Sequence, residues 1–275
     1  MKRILSILLA ALMLAVGATA YAEGTDMAYE CGEIVVLGQN AKIDLDDDGA
    51  PEEIVYEILK DEEGYDTGYR LQVGDQEVTG IGWYMDENIR ALRLDKRSGI
   101  LLMVSDYGPS DDYETHFYLY FDGHLLNAGS IPSLPDSMSV RNGVITTQIR
   151  GNVLYTWFRE ADYVPAYGWG ENWETTDAAF VEVPRYLYPM GLIVGLKVDL
   201  PLKGNMKSED AGPVLEAGTR AVLIATDDKE WVLIRSLDGS EEGWMQVDKE
   251  NSLTCYVGEE KLDSYEVFDG LLFAD

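Results

Sequence analysis

The chain has 275 residues, with 21 Lys and Arg against 50 Asp and Glu and a formal net charge of −29. That balance excludes nucleic acid and anionic membrane surfaces as partners, because both are held by basic side chains. At 46% hydrophobic residues the chain can bury one large core or two modest ones. Its N-terminus reads as a secretory signal. Lys2 and Arg3 precede the apolar run Ile4–Val16, and Ala20-Tyr21-Ala22 offers small residues for cleavage. The mature chain is expected to begin near Glu23 and to be secreted or held at the cell surface. The apolar run is too short for a stable membrane span, so no membrane insertion is expected after cleavage. No cysteine stands at the cleavage point, which argues against a lipid anchor.

The next feature is Asp44-Leu45-Asp46-Asp47-Asp48-Gly49-Ala50-Pro51-Glu52. Three carboxylates alternate, a glycine follows the third, and a fourth carboxylate comes three residues later. A hard cation such as calcium takes about six to eight oxygens, and a loop of this spacing supplies them from side chains and one carbonyl. An EF-hand would need a glutamate at position 12 and flanking helices. Position 12 is Val55, and Glu53–Leu59 alternates as a strand does. Set before a strand, the loop resembles the calcium loop of integrin-type (FG-GAP or VCBS) β-propeller repeats. The resemblance implies Asp44, Asp46, Asp48, the Ala50 carbonyl and Glu52 as ligands, with Glu52 one methylene longer than the family's aspartate. The alternative is a solvated acidic turn.

The rest of the first part reads as short strands with turn dipeptides between them. Gly74-Asp75 joins Gly68–Val73 to Gln76–Thr79. Asp122-Gly123 joins Thr115–Phe121 to His124–Ala128, and Asn142-Gly143 joins Ser139–Arg141 to Val144–Ile149. Such dipeptides between apolar alternations predict hairpins. A helical turn is expected near Asp86–Arg90. Ile89–Asp95 and Gly99–Ser105 look like a second unit whose acidic loop has decayed to Asp95-Lys96-Arg97-Ser98. Asp106, Asp111 and Asp112 read as an exposed acidic turn ahead of a second cation site. Blade-like units of four strands fit residues 31–183, with room for three or four. The aromatic group Tyr155, Trp157, Phe158, Tyr163, Tyr167, Trp169 and Trp173 is either sheet packing or a sugar-stacking platform. Trp169 and Trp173 are its best ligand contacts.

In the second part, Ala217–Thr226, Lys229–Arg235 and Glu242–Val247 are predicted strands, with Asp238-Gly239 as a turn. The order Gly-Thr, strand, Trp-Val-x-Ile-Arg, Asp-Gly, Gly-Trp resembles bacterial SH3-like (SH3b) domains over roughly residues 192–250. That resemblance implies an opening strand at Val194–Lys203 and a long loop at Asn205–Ala217. It makes Trp231 and Trp244 the typical aromatics, with packing and ligand contact as their two roles. The apolar end of the tail Val257–Asp275 is expected to dock as a last strand. Cys31 and Cys255 either pair across the ends of the mature chain or remain free.

The expected fold is all-β: a propeller-like or irregular antiparallel domain followed by an SH3-like small barrel. The boundaries are 1–22 for the signal, 23–183 for the first domain and 184–275 for the second. Neither cysteine sits in a nucleophile turn. There is no G-x-S-x-G elbow, no phosphate-cradling glycine loop and no H-E-x-x-H. The expected function is therefore non-enzymatic: an exported binding protein with a structural calcium, its partner a cell-wall glycan or a surface peptide. The alternatives are a secreted carbohydrate-active hydrolase and an accessory or inhibitory subunit of a surface complex.

Overall fold

The computed structural model describes residues 30–96, 98–165, 180–207 and 210–273. Over these the protein is almost entirely antiparallel β-structure. The first sheet is a meander of β2 (Asn40–Ile43), β3 (Glu52–Lys60), β4 (Asp66–Val73) and β5 (Gln76–Ile81). The second runs β6 (Ile89–Arg93), β7 (Ile100–Asp106), β8 (Glu114–Phe121) and β9 (His124–Ile131), with β1 (Ile34–Gly38) added outside β6. The third is β10 (Ser139–Arg141), β11 (Val144–Arg150), β12 (Phe158–Pro165) and β13 (Phe180–Val183).

These three meanders stack face to face in chain order. Ile54, Tyr56, Tyr69 and Leu71 of the first sheet pack on Ala91, Ile100, Leu102 and Tyr118 of the second. The opposite face of the second, through Leu101, Met103, Phe117 and Leu119, packs on Ile145, Ile149, Ala161 and Tyr163 of the third. Strand β7 is consequently buried at every residue. Its run of apolar side chains suits a strand covered on both faces. The outer faces of the stack are mixed, with exposed Ile81 on one and Val181 and Val183 on the other beside many polar side chains. Glu53, Glu57, Arg70 and Gln72 cover one end, and Gln148, Glu160 and Asp162 the other. Among the described residues the stack comprises three sheets.

The second part forms one seven-stranded sheet in the order β16-β15-β19-β18-β17-β14-β22. Its strands are β14 (Tyr188–Leu196), β15 (Leu200–Lys203), β16 (Ala211–Leu215), β17 (Arg220–Thr226), β18 (Trp231–Ser236), β19 (Glu242–Gln246) and β22 (Phe268–Asp269). Between β19 and β22 lie the hairpin β20 (Thr254–Val257) and β21 (Glu260–Asp263) and a one-turn helix α1 (Ser264–Val267). The step from Leu196 to Leu200 can reach about 14 Å. On a flat sheet β14 and β15 would be about 19 Å apart, four strand spacings. The sheet must therefore curl, and it closes around Leu196, Leu200, Leu215, Leu223, Val232, Ile234, Met245 and Phe268.

Three expectations change, and the two readings left open for the cysteines are decided. Residues 86–90 form no helical turn: Met85 bridges to Asp106 and the chain enters β6 at Ile89. The opening strand Val194–Lys203 is two strands broken at Lys197–Asp199, because the chain must cross the open side of the curl. The loop Asn205–Ala217 contains β16, which pairs Leu215 with Leu200. Cys31 and Cys255 are free thiols. Cys31 is exposed, next to Gly32, whose N–H donates to the Arg93 carbonyl of the second sheet (2.8 Å). Cys255 is wholly buried in the second core, and that burial pushes its thiol up to about 12. The expected tail strand is present as β22, which pairs with β14.

The two parts share a core. The β11–β12 connection carries Val153, Leu154, Tyr155 and Trp157 out of the third sheet and into the core of the curled sheet. There the Leu154 N–H donates to the Ser252 carbonyl (2.8 Å), and Ser264 Oγ donates to the Leu154 carbonyl (3.0 Å).

Candidate metal centre

The acidic loop links β2 to β3, at the end of the first sheet facing away from the curled sheet. Leu45, the apolar residue between two aspartates, is fully buried. Its carbonyl accepts the Ile100 N–H (3.3 Å). This anchor turns the neighbouring carboxylates outward. The loop's amides are then taken up by its own side chains. Gly49 N donates to Asp44 Oδ2 (2.9 Å), Asp48 N to Asp46 Oδ1 (3.3 Å) and Ala50 N to Asp48 Oδ1 (2.7 Å). Gly49 has φ +89, the left-handed conformation in which a β-carbon is strained.

The result is convergence. Oxygens of Asp44, Asp46 and Asp48 lie within 4.8 Å of one another, the one such group of metal-capable side chains among the described residues. Asp44 Oδ1 is buried with no hydrogen-bond partner. An acceptor in that position is costly to leave unmet, and a cation beside it would meet the need. Glu52 is not part of the converged set. Its Oε2 accepts the Leu45 N–H (2.8 Å), closing the base of the loop. Its carboxyl is nevertheless held above the usual range by burial and by the fields of Asp46 and Asp48, although the Leu45 N–H pulls the other way. The Ala50 backbone is exposed at the loop's rim.

Two residues that sequence reasoning passed over hold the loop in place. Asp47, at φ +61, receives both guanidinium nitrogens of Arg93 (2.7 and 2.9 Å). This hydrogen-bonded pair lowers the Asp47 carboxyl below its ordinary value. Arg93 belongs to β6, so the fork ties the loop of one sheet to the next. No local spacing could signal a partner 46 residues away.

The other expected ligand contacts are scattered. Trp231 is buried beneath the Lys203 ammonium, which lies 5.1 Å from its ring centre, and Trp244 is half-buried. Trp169 and Trp173 lie outside the described residues, as does the signal segment. Tyr155, Trp157 and Tyr163 are core residues. Asp106, Asp111 and Asp112 do not converge. Asp106 accepts backbone amides, Asp112 pairs with Arg150 (3.1 Å), and Asp111 receives the Tyr113 hydroxyl. Among the described residues no helix is long and apolar enough to cross a membrane.

The fold and site define an all-β protein of stacked and curled antiparallel sheets with an acidic, self-capped loop. No protein-family model, curated protein or solved structure matches the chain.

Proposed function

We propose that the protein is an exported, non-enzymatic binding protein whose Asp44–Glu52 loop holds a structural calcium ion. The observation that carries the calcium reading is the convergence of Asp44, Asp46 and Asp48 around the unmet Asp44 Oδ1. The donors are all hard oxygens, which suits calcium over zinc or copper. Asp44, Asp46 and Asp48 would hold the ion, with the Ala50 carbonyl and the second oxygen of Glu52 completing the set. The ion would neutralise carboxylates that otherwise repel one another and would fix the edge of the first sheet. Export rests on the N-terminal pattern of Lys2, Arg3, the apolar run and Ala20-Tyr21-Ala22.

Thermal unfolding of the full chain in excess EDTA and then in millimolar calcium tests this reading. A ligand that binds only the folded state stabilises it by about 2.7 kcal/mol at roughly a hundredfold excess over Kd. The melting temperature is expected to rise with calcium, and Asp46→Ala to abolish the rise. Identical melts in both buffers would reduce the loop to an acidic turn.

A further inference from the structure

At the opposite end of the first sheet, about 25 Å from the acidic loop along the nine residues of β3, lies an open groove. It is lined by Asp66, Tyr84, Met85, Tyr107, Pro109 and Ser110. Its rim carries aromatic rings in water. Trp83 is 65% exposed, Tyr84 59% and Tyr107 39%. Large rings are ordinarily the most valuable material for a core, so several exposed on one rim mark a contact surface.

This exposure is built into the backbone. Asp106 is 8% exposed, and its two oxygens accept the N–H groups of Trp83 (3.0 Å), Tyr84 (2.9 Å) and Gly108 (2.9 Å). Asp66 Oδ2 accepts the Met85 N–H (3.1 Å), and Tyr107 N donates to the Tyr84 carbonyl (2.9 Å). The turn at Gly108 requires its glycine, and a side chain at Gly82 would have to displace the Met85 side chain. A β-carbon on Gly82 would stand 2.1 Å from Met85 Sδ, and one on Gly108, at φ +56, 2.2 Å from the Asp112 carbonyl oxygen. The turn bearing Trp83 and Tyr84 is thus locked to the turn bearing Tyr107, a preorganised platform of the kind that lowers the cost of binding.

The charge around the platform selects the ligand. Asp66, Asp86, Asp106, Asp111, Asp112 and Asp136 stand at this end of the sheets. The cations that pair with them are Lys60, Arg90 and Arg150. Carboxylates outnumber cations here, and their field reaches inward: Asp86, Asp66 and Asp106 add to burial in raising the Tyr56 hydroxyl. Aromatic faces under a negative potential attract cations, and guanidinium groups most of all because they also stack.

We propose that the groove between Trp83-Tyr84 and Tyr107–Ser110 binds an extended, arginine-bearing peptide segment. Arginine side chains stack on the exposed rings, with the net negative charge of this end, rather than any one aspartate, as their counter-charge. The backbone lies along the groove past Pro109. A neutral glycan is less suited, because Asp106 and Asp66, which would orient its hydroxyls, are already taken by backbone amides and by Lys60. The proposal extends the binding-protein reading but does not depend on the calcium loop.

The test is fluorescence anisotropy of a labelled Arg-Pro repeat peptide titrated with the full chain, in EDTA and in calcium. A chain of net charge −29 attracts any basic peptide, so the decisive comparison is the Trp83→Ala/Tyr84→Ala variant, which keeps the charge. Both side chains are exposed, and an unchanged melting temperature will confirm that the variant folds. Binding to the parent is expected to be unaffected by calcium and to weaken in about 0.5 M salt. The variant is expected to lose about tenfold in affinity, the size of two cation–π contacts. Equal binding by parent and variant would overturn the proposal in favour of bulk charge. So would a neutral chito-oligosaccharide that binds the groove in preference to the peptide, or self-association of the parent that the variant abolishes. Loss of calcium binding with retained, groove-dependent peptide binding would sink the metal reading alone.

Discussion

Glu52 is the residue through which pH should act on the loop. Its carboxyl is raised by burial and by Asp46 and Asp48. A raised acid binds its proton more tightly folded than unfolded, so in metal-free protein this group favours folding more as pH falls through its folded value. A cation reverses the preference and must displace that proton. Calcium affinity is therefore expected to weaken between about pH 7 and about pH 5. Titration calorimetry in buffers of different ionisation enthalpy should detect the released proton, and a pH-independent Kd would be the contrary result. Asp47 has the opposite sign. Its lowered carboxyl contributes stability above its unfolded pKa, and that stability is lost as pH falls through the folded value. Both Asp47 and the loop are largely exposed, so Arg93→Met is expected to cost no more than about 1 kcal/mol by denaturant titration. Leu154 is a different case. It sits at φ +70, unusual for a branched side chain, and is fully buried in the second core. Leu154→Ala leaves a cavity expected to cost about 2–5 kcal/mol.

Among the elements, β7 carries the most. Its side chains alternate between two cores: Leu102 and Val104 face the first sheet, and Leu101 and Met103 face the third. Leu102→Ala is expected to cost about 2–5 kcal/mol, against within about 0.5 kcal/mol for an outward substitution such as Gln72→Thr on β4. Chemical denaturation of the two variants side by side checks the contrast, and a mild Leu102→Ala would mean that the first two sheets do not pack as described. The hairpins that hold these strands were readable from dipeptides, because the chemistry is local. Asp122 and Gly123 both have positive φ, as do Asn142 and Gly143. Each pair meets the demand of a two-residue turn whose twist matches the strands. The residues at 86–90 were misread because their fate is set at a distance: the Asp86 N–H is claimed by the Ser105 carbonyl (2.9 Å) across the sheet.

At the scale of the whole molecule, the stacked sheets and the curled sheet are joined by an ion-pair network as well as by the Val153–Trp157 plug. Arg159 on β12 donates to Asp228 Oδ2 (2.7 Å) and forks onto Glu182 (2.6 and 3.2 Å), and it stacks over Tyr188 at 4.2 Å. Asp228 also accepts the backbone and side-chain amides of Asn152 (both 2.7 Å). Both charged groups of the central pair are nearly shut off from water. Removing one leaves the other buried and uncompensated, so Asp228→Ala is expected to cost about 3 kcal/mol. Because the plug places residues of one part in the core of the other, calorimetry of the full chain is expected to show one transition. Two resolved transitions would mean that the parts unfold independently.

The sequence by itself determined the all-β class, the positions of the tight hairpins, the acidic loop and the strongly negative net charge. Each of these is local or compositional: a turn dipeptide, a period of two, a spacing of carboxylates, a net charge. Tertiary structure alone decided what lies far apart in the chain. It brought Arg93 to Asp47 and kept Cys31 and Cys255 apart. It also sank the Val153–Trp157 segment into a second core and raised Trp83, Tyr84 and Tyr107 onto one rim. The physical reason is the same throughout. Burial and charge pairing depend on which surfaces meet, and which surfaces meet follows from closing the whole chain around its cores.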